Sequence, residues 1–224
     1  MSTPSPQKDA HKIFAKILAS RLKPVLLDLI PPDQCGFMPA RSTRHCLSRL
    51  NIALDAQNSL TGSLSLMLLD FEKAFDSVDW GYIEQVLSRF VFGPYFRRCV
   101  RALYFEPRAH VRVNGTLSAP FYIQRGTRQG CSLSPLLFAL AIERLALRIR
   151  IDARVQGWQI PGGSEDRIAL YADNVLLYML EPRMTGPRIL EILDDIEIDT
   201  GLKVNKGKSI LLPLRGDRED YGPH

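Results

Sequence analysis

The apolar residues of the chain recur with two different periods. From His11 to Ile30, the residues Ile13, Ile17, Leu18, Leu22, Val25, Leu26 and Leu29 keep helical spacing, and Pro24 is expected to kink or divide that helix. PPDQCGFMPARS (31–42) reads as a loop, and a second helix follows from about Thr43 with Leu47, Leu50 and Leu54 on one face. The period then changes. SLSLMLLDF (63–71) is a short, nearly continuous apolar run that ends in an acid, the pattern of a buried strand. Asp79 is placed to cap a helix whose apolar face is Ile83, Val86, Leu87 and Phe90, and a further helix covers about 94–105. Asn114-Gly115 marks a hairpin. The polar, glycine-bearing loop QRGTRQGCS then leads into a helix over 134–150, with Pro135 in its first turn.

RIALYADNVLLYML (167–180) has two apolar runs around a polar tip, Ala172-Asp173-Asn174, and reads as another hairpin. A helix at about 187–200, closed by Gly201, and a last strand, KSILLPL, complete the pattern. From Ser63 onward the order is strand, two helices, hairpin, helix, hairpin, helix, strand. That order predicts an α+β fold, a small antiparallel sheet covered on one face by helices, with a helical segment ahead of it.

Composition narrows the class. Hydrophobic residues make up 46% of the 224, enough for a sizeable core. Residues 1–10 read as a polar, proline-bearing tail, 11–213 as the folded domain and 214–224 as a second polar tail. Net charge is +5, with 21 Arg against 8 Lys. Guanidinium forks bind phosphates bidentately, so the balance fits a polyanionic partner as well as a solvated basic surface. Cys35, Cys46, Cys99 and Cys131 match no zinc spacing and read as reduced thiols, with no disulfide partner expected. No apolar run approaches the roughly 20 residues of a membrane span, and the N-terminus lacks a signal-peptide core. These features predict an intracellular protein, nuclear or cytoplasmic, without a membrane partner.

Asp70 ends one buried strand and Asp173 sits at a hairpin tip over a hundred residues later. Singly, each is a strand terminus or a turn residue. On adjacent central strands they would converge into a carboxylate pair of the kind phosphoryl transfer uses. Such a pair holds two Mg²⁺ ions about 3.5–4 Å apart, which activate a hydroxyl and neutralise leaving pyrophosphate.

The surrounding motifs carry a resemblance. LLDFEKAFDSVDW (68–80), RGTRQGCSLSPLLFAL (125–140), LYADN (170–174) and GLKVNKGKS (201–209) resemble four successive motifs of reverse transcriptases, most closely those of non-LTR (LINE-like) retrotransposons. The upstream segment HKIFAKILASRLKPVLLDLIPPDQCGFMPARST resembles the stretch that precedes them. The resemblance implies a polymerase palm with part of the fingers. Its activity would be RNA-directed DNA synthesis with Mg²⁺ or Mn²⁺, dNTPs, an RNA template and a DNA primer.

The same resemblance implies roles at matching positions. Asp70 and Asp173 are the metal ligands, and the Phe71 carbonyl also faces a metal. Phe75 is the ring under the sugar, where it would exclude a 2′-hydroxyl; a core phenylalanine is the alternative. Gln129 and Gly130 lie along the incoming nucleotide, glycine permitting close backbone approach. Arg125 and Arg128 contact phosphates or template, or are solvated loop residues. Lys208 is either a proton donor to pyrophosphate or a surface lysine. Glu72, Lys73 and Asp76 also match the pattern, with tertiary ion pairs as their expected role.

The chain departs from the pattern at Asn174, where the family carries a second aspartate. An amide keeps the shape, loses the charge and binds Mg²⁺ less well. The resemblance implies finger strands upstream and a thumb downstream, and the expectation is that this chain is without them. The expectation is an impaired polymerase fragment, with a catalytically inactive nucleic-acid-binding relic as the alternative.

Overall fold

The computed structural model describes residues 6–56, 63–128, 130–160, 163 and 165–214. The chain opens with α1 (Pro6–Leu29), α2 (Thr43–Ala56), β1 (Leu64–Leu69), the short α3 (Ala74–Ser77), α4 (Trp80–Arg89) and α5 (Pro94–Leu103). Short ribbon strands follow: β2 (Arg108–Ala109), β3 (Arg112–Val113), β4 (Thr116–Leu117) and β5 (Phe121–Tyr122). Next come α6 (Ser134–Ile151), β6 (Trp158–Gln159), β7 (Glu165–Asp166), β8 (Ile168–Tyr171), β9 (Asn174–Leu180), α7 (Pro182–Thr200) and β10 (Ile210–Pro213). Among the described residues no helix is long and apolar enough to cross a membrane.

Four strands pair antiparallel in the order β10-β1-β9-β8, so β1 and β9 are the inner two. Side-chain alternation gives the sheet two apolar faces. Leu69, Val175, Leu177, Met179, Ile168 and Leu170 point into the main core. Its other wall is α6, on which twelve residues are buried, together with Ile83, Val86 and Leu87 of α4 and Ile189, Ile192 and Ile196 of α7. Leu64, Leu66, Ala169 and Tyr178 point the other way. At the end of the sheet far from the β8–β9 turn they meet Ala53, Leu50 and Leu54 of α2. The rest of that second face is open; Leu68 and Ile210, paired across β1 and β10, are both exposed.

Several caps follow the sequence. The Asp79 carboxylate accepts from Tyr82 N–H at 2.9 Å. Gly201 closes α7 at φ 77°. Asn114 and Gly115 both take positive φ in the β3–β4 turn.

Other expectations need correction. α1 begins at Pro6, so residues 6–10, read as tail, form its first turns. Proline is suited to a first helical position and the residues after it are compatible with a helix. α1 also runs unbroken through Pro24, which is exposed, so the carbonyl it frees is open to water. Its buried stripe is Ala15, Leu18, Ala19, Leu22 and Leu26, while Ile13, Ile17 and Val25 stay outside. α7 starts at Pro182 rather than at 187 and includes Pro187, close enough to the N-terminus to cost little. Leu47 is exposed, and α2 presents Leu50, Ala53 and Leu54 instead. The β6–β7 hairpin, missed in the sequence, flanks a Pro-Gly-Gly signal.

Candidate active site

The register of the inner strands sets the site. Leu69 pairs with Val175, and continuing one residue further puts Asp70 opposite Asn174. Asp173 is the next residue, in the two-residue turn between β8 and β9. The two aspartates therefore lie at the same end of neighbouring central strands, as the sequence implied. Asp70 and Asn174 also share the open face of the sheet with Leu68 and Leu176, since each lies an even number of residues from them. Asp70 and Asp173 are half-buried and Asn174 is exposed.

The turn itself is strained. Ala172 takes φ 61°, while no positive φ occurs at Asp173, the pattern of a II′ turn with alanine where glycine is favoured. The Asn174 amide donates to the Tyr171 carbonyl at 3.4 Å, closing the turn. Loop 31–42, read only as a loop in the sequence, braces this hairpin from outside. Leu170 N–H donates to Asp33 C=O and Cys35 N–H to Leu170 C=O, each at 2.8 Å, in a parallel bridge at Gln34. Gly36 then lies directly on the turn, where a Cβ would come 1.9 Å from Ala172 N. Arg41 fixes the loop by donating to the carbonyls of Ile30, Pro31 and Gln34. Arg150 holds Asp33 through a two-nitrogen clamp.

On the far side, the segment after β1 is held by the 203–209 loop. Asn205 N–H donates to Asp70 C=O and Glu72 N–H to Lys203 C=O, both at 2.8 Å, and Asp70 N–H donates to Ser209 Oγ at 3.2 Å. These bonds flank the Phe71–Val204 bridge and leave the Phe71 carbonyl turned toward the β9 side. Phe71's side chain is core. Lys208 is exposed in the turn that its N–H closes on Asn205 C=O at 3.1 Å. Lys203 pairs with Glu72 at 3.7 Å, the tertiary role expected for Glu72.

Phe75 sits at the edge of the core. It is half-buried, stacked on the core ring of Phe138 at 4.4 Å and met edge-on by Phe37 at 6.0 Å. Phe37 was missed in the sequence; it is nearly half exposed at φ 60° in the bracing loop. The Phe75 carbonyl accepts from Thr127 N–H at 2.6 Å and from its hydroxyl at 3.1 Å, and Gly126 N–H donates to Val78 C=O. Gly126 lies so close that a Cβ would be 2.6 Å from Asp76 O. Loop 125–128 is thereby seated on the Asp70 segment. Arg125 and Arg128 are exposed on it. Gly130 has φ 73° with open space where a Cβ would lie, so its backbone, not crowding, calls for glycine. Gln129 lies outside the described residues.

Among the described residues, no group of three or more His, Cys, Asp or Glu could hold an ion by itself. Asp33, Asp152, Asp166, Asp195 and Asp199 each have an arginine partner, whereas among the described residues no ion pair is formed by Asp70 or Asp173. Two unneutralised carboxylates at one strand end suit hard divalent cations whose remaining ligands come from water and substrate phosphates.

The sequence profile described as "Reverse transcriptase (RNA-dependent DNA polymerase)" matches residues 6–214. The chain belongs to the reverse transcriptase family. A Xenopus laevis transposon TX1 protein of 149 kDa, itself uncharacterized, is 37% identical over 169 residues, 75% of this chain and 13% of that protein. The Pol polyprotein of the type-2 retrotransposable element R2DM of Drosophila melanogaster is 29% identical over 187 residues, 83% of this chain and 17% of that protein. This reverse transcriptase chain thus spans under a fifth of the length of these two relatives. Its fold matches apo telomerase of Candida tropicalis, truncated from its C-terminal domain, at TM-score 0.60 and 12% identity, over 91% of this chain and 41% of the other. Telomerase of Candida albicans, solved with a fragment of telomeric RNA, matches at 0.62 and 13%, over 94% and 35%. The α+β polymerase palm expected from the sequence is the fold observed.

Proposed function

We propose that the chain is the catalytic palm of an RNA-directed DNA polymerase from a retrotransposon. It extends a DNA primer on an RNA template with dNTPs. The observation that carries the reading is the register of β1 and β9, which sets Asp70 beside the Asp173 turn. Asp70 and Asp173 would hold the divalent ions, with the Phe71 carbonyl turned to the same side. Bound there, Mg²⁺ or Mn²⁺ would lower the pKa of the primer hydroxyl and offset charge on the departing pyrophosphate.

The other residues position the reactants. The Phe75 ring, held between Phe37 and Phe138, forms a floor that a 2′-hydroxyl would strike. Gly130 and Gln129 flank the nucleotide, and Arg125 and Arg128 meet phosphates. Lys208 is exposed two residues before β10, in the loop hydrogen-bonded to Asp70, and supplies a proton to pyrophosphate.

A second reading rests on Asn174. Its amide closes the turn by donating to Tyr171 C=O, a structural use that an ionised aspartate cannot supply. In that reading the site binds metal weakly and the chain binds nucleic acid without turnover. Primer extension on poly(rA)/oligo(dT), with Mg²⁺ or Mn²⁺, separates the two. Extension by the unmodified chain that is lost in Asp70→Asn establishes the polymerase; no extension in either metal establishes the inactive binder.

A further inference from the structure

All four cysteines are free thiols, and two of them, Cys35 and Cys46, meet. Cys35 is buried in the bracing loop, and Cys46 is half-buried on α2. Both converge on the carbonyl of Leu170. Cys35 N–H donates to it at 2.8 Å and the Cys46 thiol donates to it at 3.7 Å. The Cys35 thiol donates to Pro32 C=O at 3.8 Å and lies within hydrogen-bonding reach of Cys46 Sγ. Leu170 belongs to β8, the strand that enters the Asp173 turn, so the two thiols lie against the hairpin on which Gly36 also rests.

α2 meets the rest of the molecule through Arg49–Asp166 and through the small cluster of Leu50, Ala53 and Leu54 under the sheet. A bond between the two sulfurs would add a covalent tie from α2 to the brace. It would cost Leu170 C=O only the weak S–H donor, since Cys35 N–H still serves that oxygen. Burial and the Cys35 thiol beside it push the Cys46 thiol up to about 12. Thiolate is then scarce, so the pair reacts slowly. The reduced form also lacks the thiolate stabilisation that makes strongly oxidising disulfides easy to reduce. Such a bond forms slowly and, once formed, resists reduction.

We propose that Cys35 and Cys46 are a dithiol oxidation site, closed to a disulfide by a small hydroperoxide, which latches α2 to the loop bracing the Asp173 turn. Hydrogen peroxide is the co-reactant. The Cys46 sulfur, the more open of the two, attacks one peroxide oxygen as thiolate. The O–O bond breaks, Cys46 becomes a sulfenic acid, and the departing hydroxide takes up a proton as water. The Cys35 sulfur then attacks Cys46 Sγ, and its thiol proton leaves with the sulfenic hydroxyl as a second water. The two sulfurs lose two electrons to the peroxide. The latch rests on the placement of the thiols alone, so it holds whether or not the carboxylate site turns over.

The test is peroxide treatment of the reduced 224-residue chain, alkylation of the remaining thiols and tryptic mapping without reductant. Trypsin leaves Cys35 in residues 22–41 and Cys46 in residues 45–49. The expected result is these two peptides joined with the loss of two hydrogens, while Cys99 and Cys131, at the edge of the main core, are alkylated. The oxidised chain should melt roughly 5 °C higher, the effect of closing a loop of about a dozen residues. Leu170 N–H, bonded to Asp33 C=O, should exchange with deuterium more slowly in it. Glutathione should leave the bond intact and dithiothreitol should break it. Cys46→Ala, its fold checked by circular dichroism, should lose the melting shift, and Cys99→Ala should keep it. Four results on the unsubstituted chain would overturn the latch. They are Cys46 carried on to sulfinic acid with Cys35 unlinked, a disulfide within a different pair, a Cys35–Cys46 bond that leaves both melting and Leu170 exchange unchanged, and a bond that glutathione reduces.

Discussion

At the scale of single residues, the site turns on Asn174. Register puts it opposite Asp70, on the same face of the sheet, so a charge there acts at short range on any ion the aspartates hold. Asn174→Asp removes the amide's bond to Tyr171 C=O and adds a third carboxylate to a pair that no arginine neutralises. Without metal the added repulsion should lower the melting temperature slightly. With Mn²⁺ the effect reverses, because carboxylate count tunes oxygen-ligand sites. Calorimetry should show Mn²⁺ binding tightened by about ten-fold or more, the size of effect that even outer partners have on metal sites. An unchanged affinity would remove Asn174 from the metal site. Phe75 is partly core and partly exposed. It is packed on the core ring of Phe138 and met edge-on by exposed Phe37, so it stands at the edge of the core.

At the scale of elements, the site depends on backbone packing that side-chain patterns hardly signal. Gly36 is the tightest case: a Cβ there would meet Ala172 N at 1.9 Å and Tyr171 C at 2.8 Å, both backbone atoms that cannot swing away. Gly36→Ala should push loop 31–42 off the hairpin and move the turn that carries Asp173. The expected result is weaker Mn²⁺ binding together with a lower melting temperature. Gly201→Ala is the contrasting case, at φ 77° with a Cβ 2.9 Å from Ser77 O, distant in sequence from the turn. Left-handed strain of roughly 1–2 kcal/mol should appear as lost stability, with Mn²⁺ affinity per folded molecule retained; a loss of affinity equal to that of Gly36→Ala would mean that metal binding only follows stability.

The same contrast explains what could be read in advance. β1, the β8–β9 hairpin, the Asp79 cap and the Gly201 stop were legible because each is written in a local pattern of period, cap or turn. The bracing role of residues 31–42 was not, because Gln34 and Cys35 meet Leu170 through main-chain bonds that carry no residue signature. The start of α7 was placed too late for a related reason: a proline near the first turn of a helix costs little.

At the scale of the whole molecule, ten of the 21 arginines pair with acids among the described residues. Arg144–Asp199, Arg148–Asp195 and Arg188–Asp152 tie α6 and its C-terminal cap residue to α7, Arg49–Asp166 ties α2 to β7, and Arg150 joins Asp33 to Glu143. One of these ties predicts a pH dependence. The Arg154 backbone N–H and the Arg188 and Arg154 guanidiniums hold the Asp152 carboxyl down at about 2. A carboxylate whose pKa is depressed on folding contributes stability above its unfolded value, about 3.9, and loses it as pH falls toward 2. The melting-temperature gap between wild type and Asp152→Asn should therefore be full at pH 5 and shrink steadily below pH 4; a gap independent of pH would mean that the charge contributes nothing. This pairing also limits what the arginines can do with an external anion. A surface count of all 21 would suggest a steep salt dependence on RNA–DNA duplex, since each phosphate neutralised contributes about −0.9 to the slope. With the α6–α7, α2 and Arg150 pairs made within the protein, and Arg112, Arg125 and Arg128 without ion pairs among the described residues, the expected slope is shallow, roughly −3 to −6. Mobility-shift titrations across 50–200 mM salt measure it, as salt steps of about this size resolve contacts of this number. A slope near zero would mean that the free arginines do not meet phosphates. One far steeper would mean that the ion pairs open to bind nucleic acid, and the melting temperature of the complex would then lose the pH dependence assigned to Asp152.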